Sequence, residues 1–306
     1  MNSDSKSESA ANTKPALRPA ATAIVVREYA KEVQVLMTRR HAALAFMGGM
    51  WVFPGGALAA ADRSDAARNV VVNADSCAHK LLDLKGRAVP QDVCLGLAIA
   101  ACRETFEETG VLLARCADGN PCTEGQLARL QAERTQIAAD PERFIAAITR
   151  ESLRLHIDDL VYWSHWITPE GPPRRFDTRF FIAPAPEAHD FLADTTETTD
   201  CVWMSPENLL AAAARGEMKI AQPTRYNLED LRVSVARHGS LSALMKNERE
   251  RAVAAIMPKL VKNDEKTLIL MPWDEAYASA PGDSVPGNQY YEPALLALHS
   301  RVERDH

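Results

Sequence analysis

Apolar residues in this chain follow two patterns: short β-branched runs bounded by polar or Gly/Pro stretches, and longer segments with apolar positions three to four apart. The runs ATAIVV (21–26) and VQVLMTRR (33–40), separated by REYAKE, predict a hairpin or two neighbouring strands. MWVF (50–53) predicts a third strand ending at Pro54-Gly55-Gly56, because proline cannot donate to a ladder and paired glycines permit positive φ in a tight loop. Residues 57–91 show weak periodicity and read as an excursion with some helix. The clearest helix runs from Asp92 to Thr109, with Asp92 as N-cap and Gly110 as terminator. VLLA follows as a strand, then two amphipathic stretches at 124–139 and 141–155. LVYWSHWITP (160–169) and RRFDTRFFIAPAP (174–186) read as paired strands joined by EGPP. CVWM (201–204) is a strand, Ser205-Pro206-Glu207 opens a helix to about Arg215, and 224–237 and 241–256 are helices before a late strand, KTLILMP (266–272).

At 100° per residue along the helix 92–109, Leu95, Ile99, Cys102 and Phe106 share one face. Glu104, Glu107 and Glu108 fall opposite. Like charges at i, i+3 and i+4 cost a few tenths of a kcal/mol per pair. A divalent cation would reverse that cost, since hard ions take carboxylate oxygens together with water and substrate phosphates. By itself such a triplet is ordinarily a solvated acidic face.

With 306 residues, 46% hydrophobic and 25% charged, the chain has the composition of a globular protein with about two domains or one enlarged domain. The 35 basic residues against 41 acidic ones give a net charge of -6, so no overall positive field recommends nucleic acid as a partner. No apolar run approaches the roughly 18 residues that cross a bilayer, and no membrane partner is expected. MNSDSKSESAANTKPALRPA lacks the basic start and apolar stretch of a secretory signal; residues 1–18 are expected to form a disordered tail. The final ERDH offers no Ser-Lys-Leu-like address. Six cysteines without a CxxC pair read as reduced thiols in a cytoplasmic protein, and a zinc site from Cys77 and His79 lacks a second ligand pair.

AACRETFEETGV, preceded by a strand ending in FPGG, resembles the signature box of the Nudix hydrolases. That box runs Gly, five residues, Glu, seven residues, then Arg-Glu-U-x-Glu-Glu-x-Gly-U, with U aliphatic. Residues 103–111 match its second half except that Thr105 replaces an aliphatic residue. Gly56 matches the leading glycine, and Asp62 stands where the family has Glu. Because Gly56 and Arg103 are 47 positions apart, the box is split by an insertion of about 33 residues. LMTRR, FMGGMWVFPGG, RFDTRFFIAPAP and QPTRYNLEDL are similar to segments of the coenzyme A and acyl-coenzyme A diphosphatase branch, over roughly residues 20–240.

The resemblance implies an α/β Nudix fold with a mixed sheet between helices: one domain over 19–240, an insertion at 57–91, and a C-terminal extension, 241–306, packed on the same domain. The extension is expected to be helical. The resemblance also implies attack of water on a phosphorus of a nucleoside diphosphate linked to another moiety, with Mg²⁺ or Mn²⁺ as cofactor. Glu104, Glu107 and Glu108 would be the metal ligands, with Arg103 pairing with a helix carboxylate, Glu107 one turn on. The general base would be Glu197, with Asp194 and Asp200 as rivals. Gly55 and Gly56 would shape the loop beside the metal. For coenzyme A, whose 3′-phosphate needs cations, Arg39, Arg40 and Arg175 are the candidate contacts, with Arg174 and Arg179 near them. Trp51, Phe176 and Trp203 could stack an adenine, although strand aromatics most often sit in the core, and His165 reads as a hydrogen-bonded strand residue. The products would be adenosine 3′,5′-bisphosphate and 4′-phosphopantetheine or its acyl form. Two alternatives stand: the same chemistry on ADP-ribose, NADH or another dinucleotide, and a sensor or partner-binding protein without turnover. The departures at Asp62 and Thr105 leave room for the latter, and the clustered acids argue against it. A homodimer remains open.

Overall fold

The computed structural model describes residues 15–44, 47–74, 81–186, 198–262, 266–286, 291 and 296–305. In chain order the strands and helices are β1 (Leu17–Tyr29), β2 (Glu32–Arg40), β3 (Trp51–Val52), β4 (Gly55–Ala57), α1 (Asp65–Asn69), α2 (Gln91–Thr109), β5 (Ala114–Cys116), α3 (Glu124–Ala132), α4 (Arg134–Ala138), α5 (Pro141–Arg150), β6 (Leu153–Leu155), β7 (Val161–Ile167), β8 (Arg175–Pro184), β9 (Thr198–Met204), α6 (Pro206–Ala214), α7 (Gln222–His238), α8 (Leu241–Asn247), β10 (Ala255–Ile256), β11 (Lys259–Lys262), β12 (Lys266–Leu270) and β13 (Arg301–Asp305).

The main sheet has the order β10-β7-β8-β1-β2-β3, with β4 on β1 and β9 on β2. It is mixed: β1 runs parallel to β8, β7 antiparallel to β8, and β1 antiparallel to β2. Alternation along β1 explains why both faces are covered. Ala21, Ala23 and Val25 pack with Phe181 against α2 and α5 residues such as Ile99, Phe106 and Phe144. Ile24 and Val26 pack with Val35, Met37 and Ile182 against Leu209 of α6 and Leu228 and Leu231 of α7. The sheet therefore lies between two helical layers. Ile256, Ile269 and Met271 belong to that second cluster, so residues beyond 240 share the core of the main domain. The extension expected to be helical is helix only in α8 among its described strands and helices; β11, β12 and β13 form a small sheet of their own, because the apolar Leu260, Ile269 and Val302 are met by ladder partners.

Several boundaries differ from the sequence reading, each for a physical reason. The expected tail shortens, because Leu17 and Arg18 already pair with Arg175 and Phe176; residues 1–14 lie outside the described ones. Gly55 and Gly56 form a strand on β1 instead of a positive-φ loop. Glycine is required at Gly55 by close approach: a Cβ there would stand 2.5 Å from the Ala21 carbonyl oxygen. Helix α2 begins at Gln91 after Pro90, and Asp92 accepts from Arg63 Nε (2.9 Å) instead of capping. Gly110 does end it, at φ +73°. Residues 111–113 are not strand; β5 starts at Ala114. The stretch 141–155 stops being helix at Arg150 and reverses through Ser152, with φ +55°, into β6.

The predicted helix 241–256 ends at Asn247. Beyond it, the buried Arg251 side chain pairs with Asp230 (2.9 Å) and stacks over Trp163 at 3.8 Å, carrying the chain to β10 at the sheet edge. A long-range ion pair has overridden local helix propensity there. Among the described residues, no helix is long and apolar enough to cross a membrane, and Cys94, Cys102, Cys116, Cys122 and Cys201 are free thiols. Cys77 and His79 lie outside the described residues.

Candidate active site

Strand β1 changes partner along its length: residues 20–22 pair with β4, and pairing with β2 begins at Val26. A cavity of about 580 Å³ opens beside this division, and among the described residues its charged lining is Glu104, Glu108, Arg18 and Arg40. Gly55 and Gly56 line it as well. A Cβ on Gly56 would stand 2.3 Å from Glu104 Oε1, so any larger residue would displace that carboxylate.

Behind the cavity wall, one guanidinium organises the acids. Arg103 donates from Nε and Nη2 to the two oxygens of Asp62 (2.9 and 3.0 Å), and from Nη1 to Glu104 Oε1 (2.8 Å) and Glu107 Oε2 (2.9 Å). The fork–fork bond to Asp62 fixes the plane of the guanidinium and hence the positions of both glutamates. Asp62 is 0% exposed and also accepts from the Ala59 N–H (2.9 Å). Burial works against the charge on Arg103, but the bond to Asp62 and the fields of Glu104, Asp62 and Glu107 outweigh it and raise its pKa. The balance at Glu107 is opposite. Burial pushes its carboxyl up to about 8, Arg103 opposes, and Glu104 adds to the rise. Glu107 and Glu108 are 7% and 4% exposed, so the acidic face of α2 is not a solvated one.

The donor set suits a hard divalent cation. Glu107 Oε1 is buried with no hydrogen-bond donor among the described residues, and Glu104 and Glu108 face the cavity. No closed cage of three or more His, Cys, Asp or Glu side chains exists among the described residues. An ion such as Mg²⁺ needs none, because it keeps several waters and uses one or two carboxylates with substrate phosphates. Oxygen-only donors favour Mg²⁺ or Mn²⁺ over zinc or copper.

A family model, the NUDT19 Nudix domain, matches residues 9–231. This chain belongs to that Nudix family. Human acyl-coenzyme A diphosphatase NUDT19 is 29% identical over 281 residues, covering 81% of this chain and 73% of that protein. Its Xenopus laevis counterpart is 26% identical, covering 82% and 73%. A crystal structure of a NUDIX hydrolase from Alicyclobacillus acidocaldarius shares the fold, with a TM-score of 0.57 at 24% identity over 78% of this chain and 99% of that one.

Within this Nudix framework the two departures from the box are accommodated. Asp62 still reaches Arg103, and Thr105 buries its hydroxyl by donating to the Ala101 carbonyl (2.7 Å). Of the arginines proposed from sequence, Arg40 lines the cavity with its Nε buried and without a hydrogen-bond partner among the described residues. Arg39 does not; it is exposed on the strand and faces Asp200 at 3.7 Å, which also places Asp200 away from the cavity lining. Arg175 is a correction too. Its guanidinium is buried against the Thr168 and Pro169 carbonyls (3.2 and 3.1 Å) and Met257 Sδ, where it holds a turn together. Arg174 is exposed, and Arg179 is buried on Asp177 and the Leu82 carbonyl. Glu197 and Asp194 lie outside the described residues. Phe176 lines the cavity; Trp51 and Trp203 do not, and Arg27 stacks on Trp203 at 4.4 Å. His165 Nε2 bonds Asp177 (2.5 Å), away from the acids of α2.

Sequence reasoning missed Arg18, which stands beside Phe176 in the β1–β8 register, and the part that Pro258, Leu260 and Ile269 take in the lining. Alternation along β1 would have put Arg18 on the face of Ala20 and Thr22. Nothing local marks the other three.

Proposed function

We propose that this Nudix protein hydrolyses the diphosphate of coenzyme A or acyl-coenzyme A, with Mg²⁺ or Mn²⁺ held by Glu104, Glu107 and Glu108. The observation that carries the reading is one cavity with clustered carboxylates and two arginines in a lining otherwise built mainly of apolar side chains. It suits a substrate with a polyphosphate and an apolar appendage. The names of the relatives from human and Xenopus point to the same substrate class.

A bound divalent ion would neutralise the phosphate oxygens, activate water and stabilise the leaving oxygen. The chain supplies the positioning. Arg103 holds Glu104 and Glu107 at fixed bond lengths, and Gly56 lets the Glu104 carboxylate lie against the β4 backbone. Arg40 and Arg18 offer cations for phosphate oxygens at the cavity wall. Burial raises the pKa of the Glu107 carboxyl to about 8, and a bound cation would favour its anion. In the overall reaction water adds to one phosphorus, the bridging P–O bond breaks, and two phosphate monoesters leave. The accommodated Asp62 and Thr105 remove the motive for a sensor without turnover. Free thiols fit a reducing compartment such as the cytoplasm.

The test is a product-resolved assay of coenzyme A, acyl-coenzymes A, ADP-ribose and NADH, with and without Mg²⁺ or Mn²⁺. The expected result is metal-dependent release of adenosine 3′,5′-bisphosphate. Cleavage of ADP-ribose with coenzyme A left intact would replace this substrate by a dinucleotide.

A further inference from the structure

The walls of the cavity come from two parts of the chain that are far apart in sequence. One part is the Nudix core: the Gly55-Gly56 strand, Glu104 and Glu108 of α2, Trp166 of β7 and Phe176 of β8. The other is the segment beyond residue 240, which contributes Pro258, Leu260 and Ile269. Leu260 and Ile269 stand directly opposite each other in the β11–β12 ladder, so they present one apolar face. Lys259, between Pro258 and Leu260, is turned the other way by strand alternation and donates its ammonium to the Tyr277 and Ala280 carbonyls (2.9 and 2.6 Å). The segment is thus anchored on one side and apolar on the side facing the cavity.

A second set of contacts fixes this wall to the core. Arg175 ties the turn after β7 to the extension through the Thr168 and Pro169 carbonyls and Met257 Sδ (3.8 Å). In the same turn, a Cβ on Gly171 would stand 3.6 Å from Leu260 Cδ1. Trp166 and Phe176 complete the surface from the sheet.

We propose that Pro258, Leu260 and Ile269 of the C-terminal extension, with Trp166 and Phe176, form a specificity wall for the acyl chain of an acyl-coenzyme A. The inference rests on the proposed function and deepens it. Charge sets the bisphosphate apart from an acyl chain at this wall, and the dependence of kcat/KM on chain length sets an acyl chain apart from a stacked adenine. The adenosine 3′,5′-bisphosphate half carries two phosphates and requires cations, whereas among the described residues the extension contributes no charged side chain to the lining. The charged lining residues, Arg18, Arg40, Glu104 and Glu108, all come from the core. An aliphatic thioester chain loses no hydrogen bonds on entering an apolar wall and gains burial with every methylene.

The experiment compares kcat/KM of the full chain on free coenzyme A and on acetyl-, hexanoyl- and dodecanoyl-coenzyme A, with saturating Mg²⁺ or Mn²⁺. For the wild type, kcat/KM should rise by roughly fourfold per buried methylene over the first part of the series. In Leu260→Glu, which sets a charge where the chain would lie, the hexanoyl-to-free ratio should fall at least about tenfold, and in Leu260→Ala about threefold. The ratio is read within one preparation, so a misfolded fraction lowers both rates and leaves it unchanged. A flat chain-length profile in the wild type overturns the inference while leaving the proposed function standing. A rising profile with the same ratio in both Leu260 variants overturns the role of the extension. Failure to cleave any coenzyme A species overturns the proposed function and this inference with it.

Discussion

Arg103 and Arg179 are both buried guanidiniums held by carboxylates, yet only the first stands beside the cavity. Arg179 shares Asp177 with His165, and it also donates to the Asp177 and Leu82 carbonyls. That set pairs one cation with one anion. Around Arg103 three carboxylates, those of Asp62, Glu104 and Glu107, meet one cation, and Glu108 lies on the same helix a residue further on. Burying an acid surplus costs free energy that pairing alone would not explain. The difference suggests a working rule: a buried network that balances its charge serves the fold, while one that carries an excess at a cavity is poised for a ligand of opposite charge.

The sharpest way to break this contrast is to remove the shared cation. Arg103→Ala strands Asp62, at 0% exposure, and should lower the free energy of unfolding by about 3–5 kcal/mol, with turnover lost. Urea unfolding measures it; a loss below about 1 kcal/mol would mean that Arg103 does not organise the cluster. Next comes a pair of neutralising substitutions. Glu108→Gln should cost at least about 100-fold in kcat with no loss of Tm, whereas Asp177→Asn should cost about 1–3 kcal/mol of stability and leave the kcat of the folded fraction intact. The opposite assignment, activity falling with Asp177→Asn and unaffected by Glu108→Gln, would sink the rule and the metal site together.

How far the sequence led depended on whether the determining partner was near or far along the chain. The β1–β2 hairpin, the strand pair β7–β8, the Ser205 cap of α6 and the Gly110 terminator of α2 were legible because each is decided within a few residues. The acids of α2 were legible as one helical face for the same reason. Their burial was not, since it depends on β1 and β4 packing against α2, nor was the fork between Arg103 and Asp62, 41 positions apart. Arg175 looked like a phosphate contact beside Arg174 and turned out to serve a turn and Met257, 82 positions away. Leu260 and Ile269 look like ordinary strand residues until the small sheet folds back onto the cavity.

The finest test of the comparison is pH, because the two networks should respond with opposite sign. Glu107 has its pKa raised from 4.5 to about 8 by burial, so its contribution to stability is full below pH 4.5 and is lost as pH rises through about 8. His165 has its pKa lowered by burial, against the pull of Asp177, so its contribution is present above about 6.5 and is lost as pH falls. Asp177, held below the usual carboxylate range despite burial by its bond to His165 and the nearby Arg179, acts in the same direction at more acidic pH. Thermal unfolding of Glu107→Gln should therefore gain on the wild type between pH 6 and 8 and show no such gain at pH 5. Adding Mg²⁺ should raise the wild-type Tm more at pH 8 than at pH 6, because the ion takes the deprotonated carboxylate, and the variant should show less of this difference. Equal Mg²⁺ shifts at both pH values, in wild type and variant alike, would remove Glu107 from the ligand set and leave Glu104 and Glu108 to hold the ion.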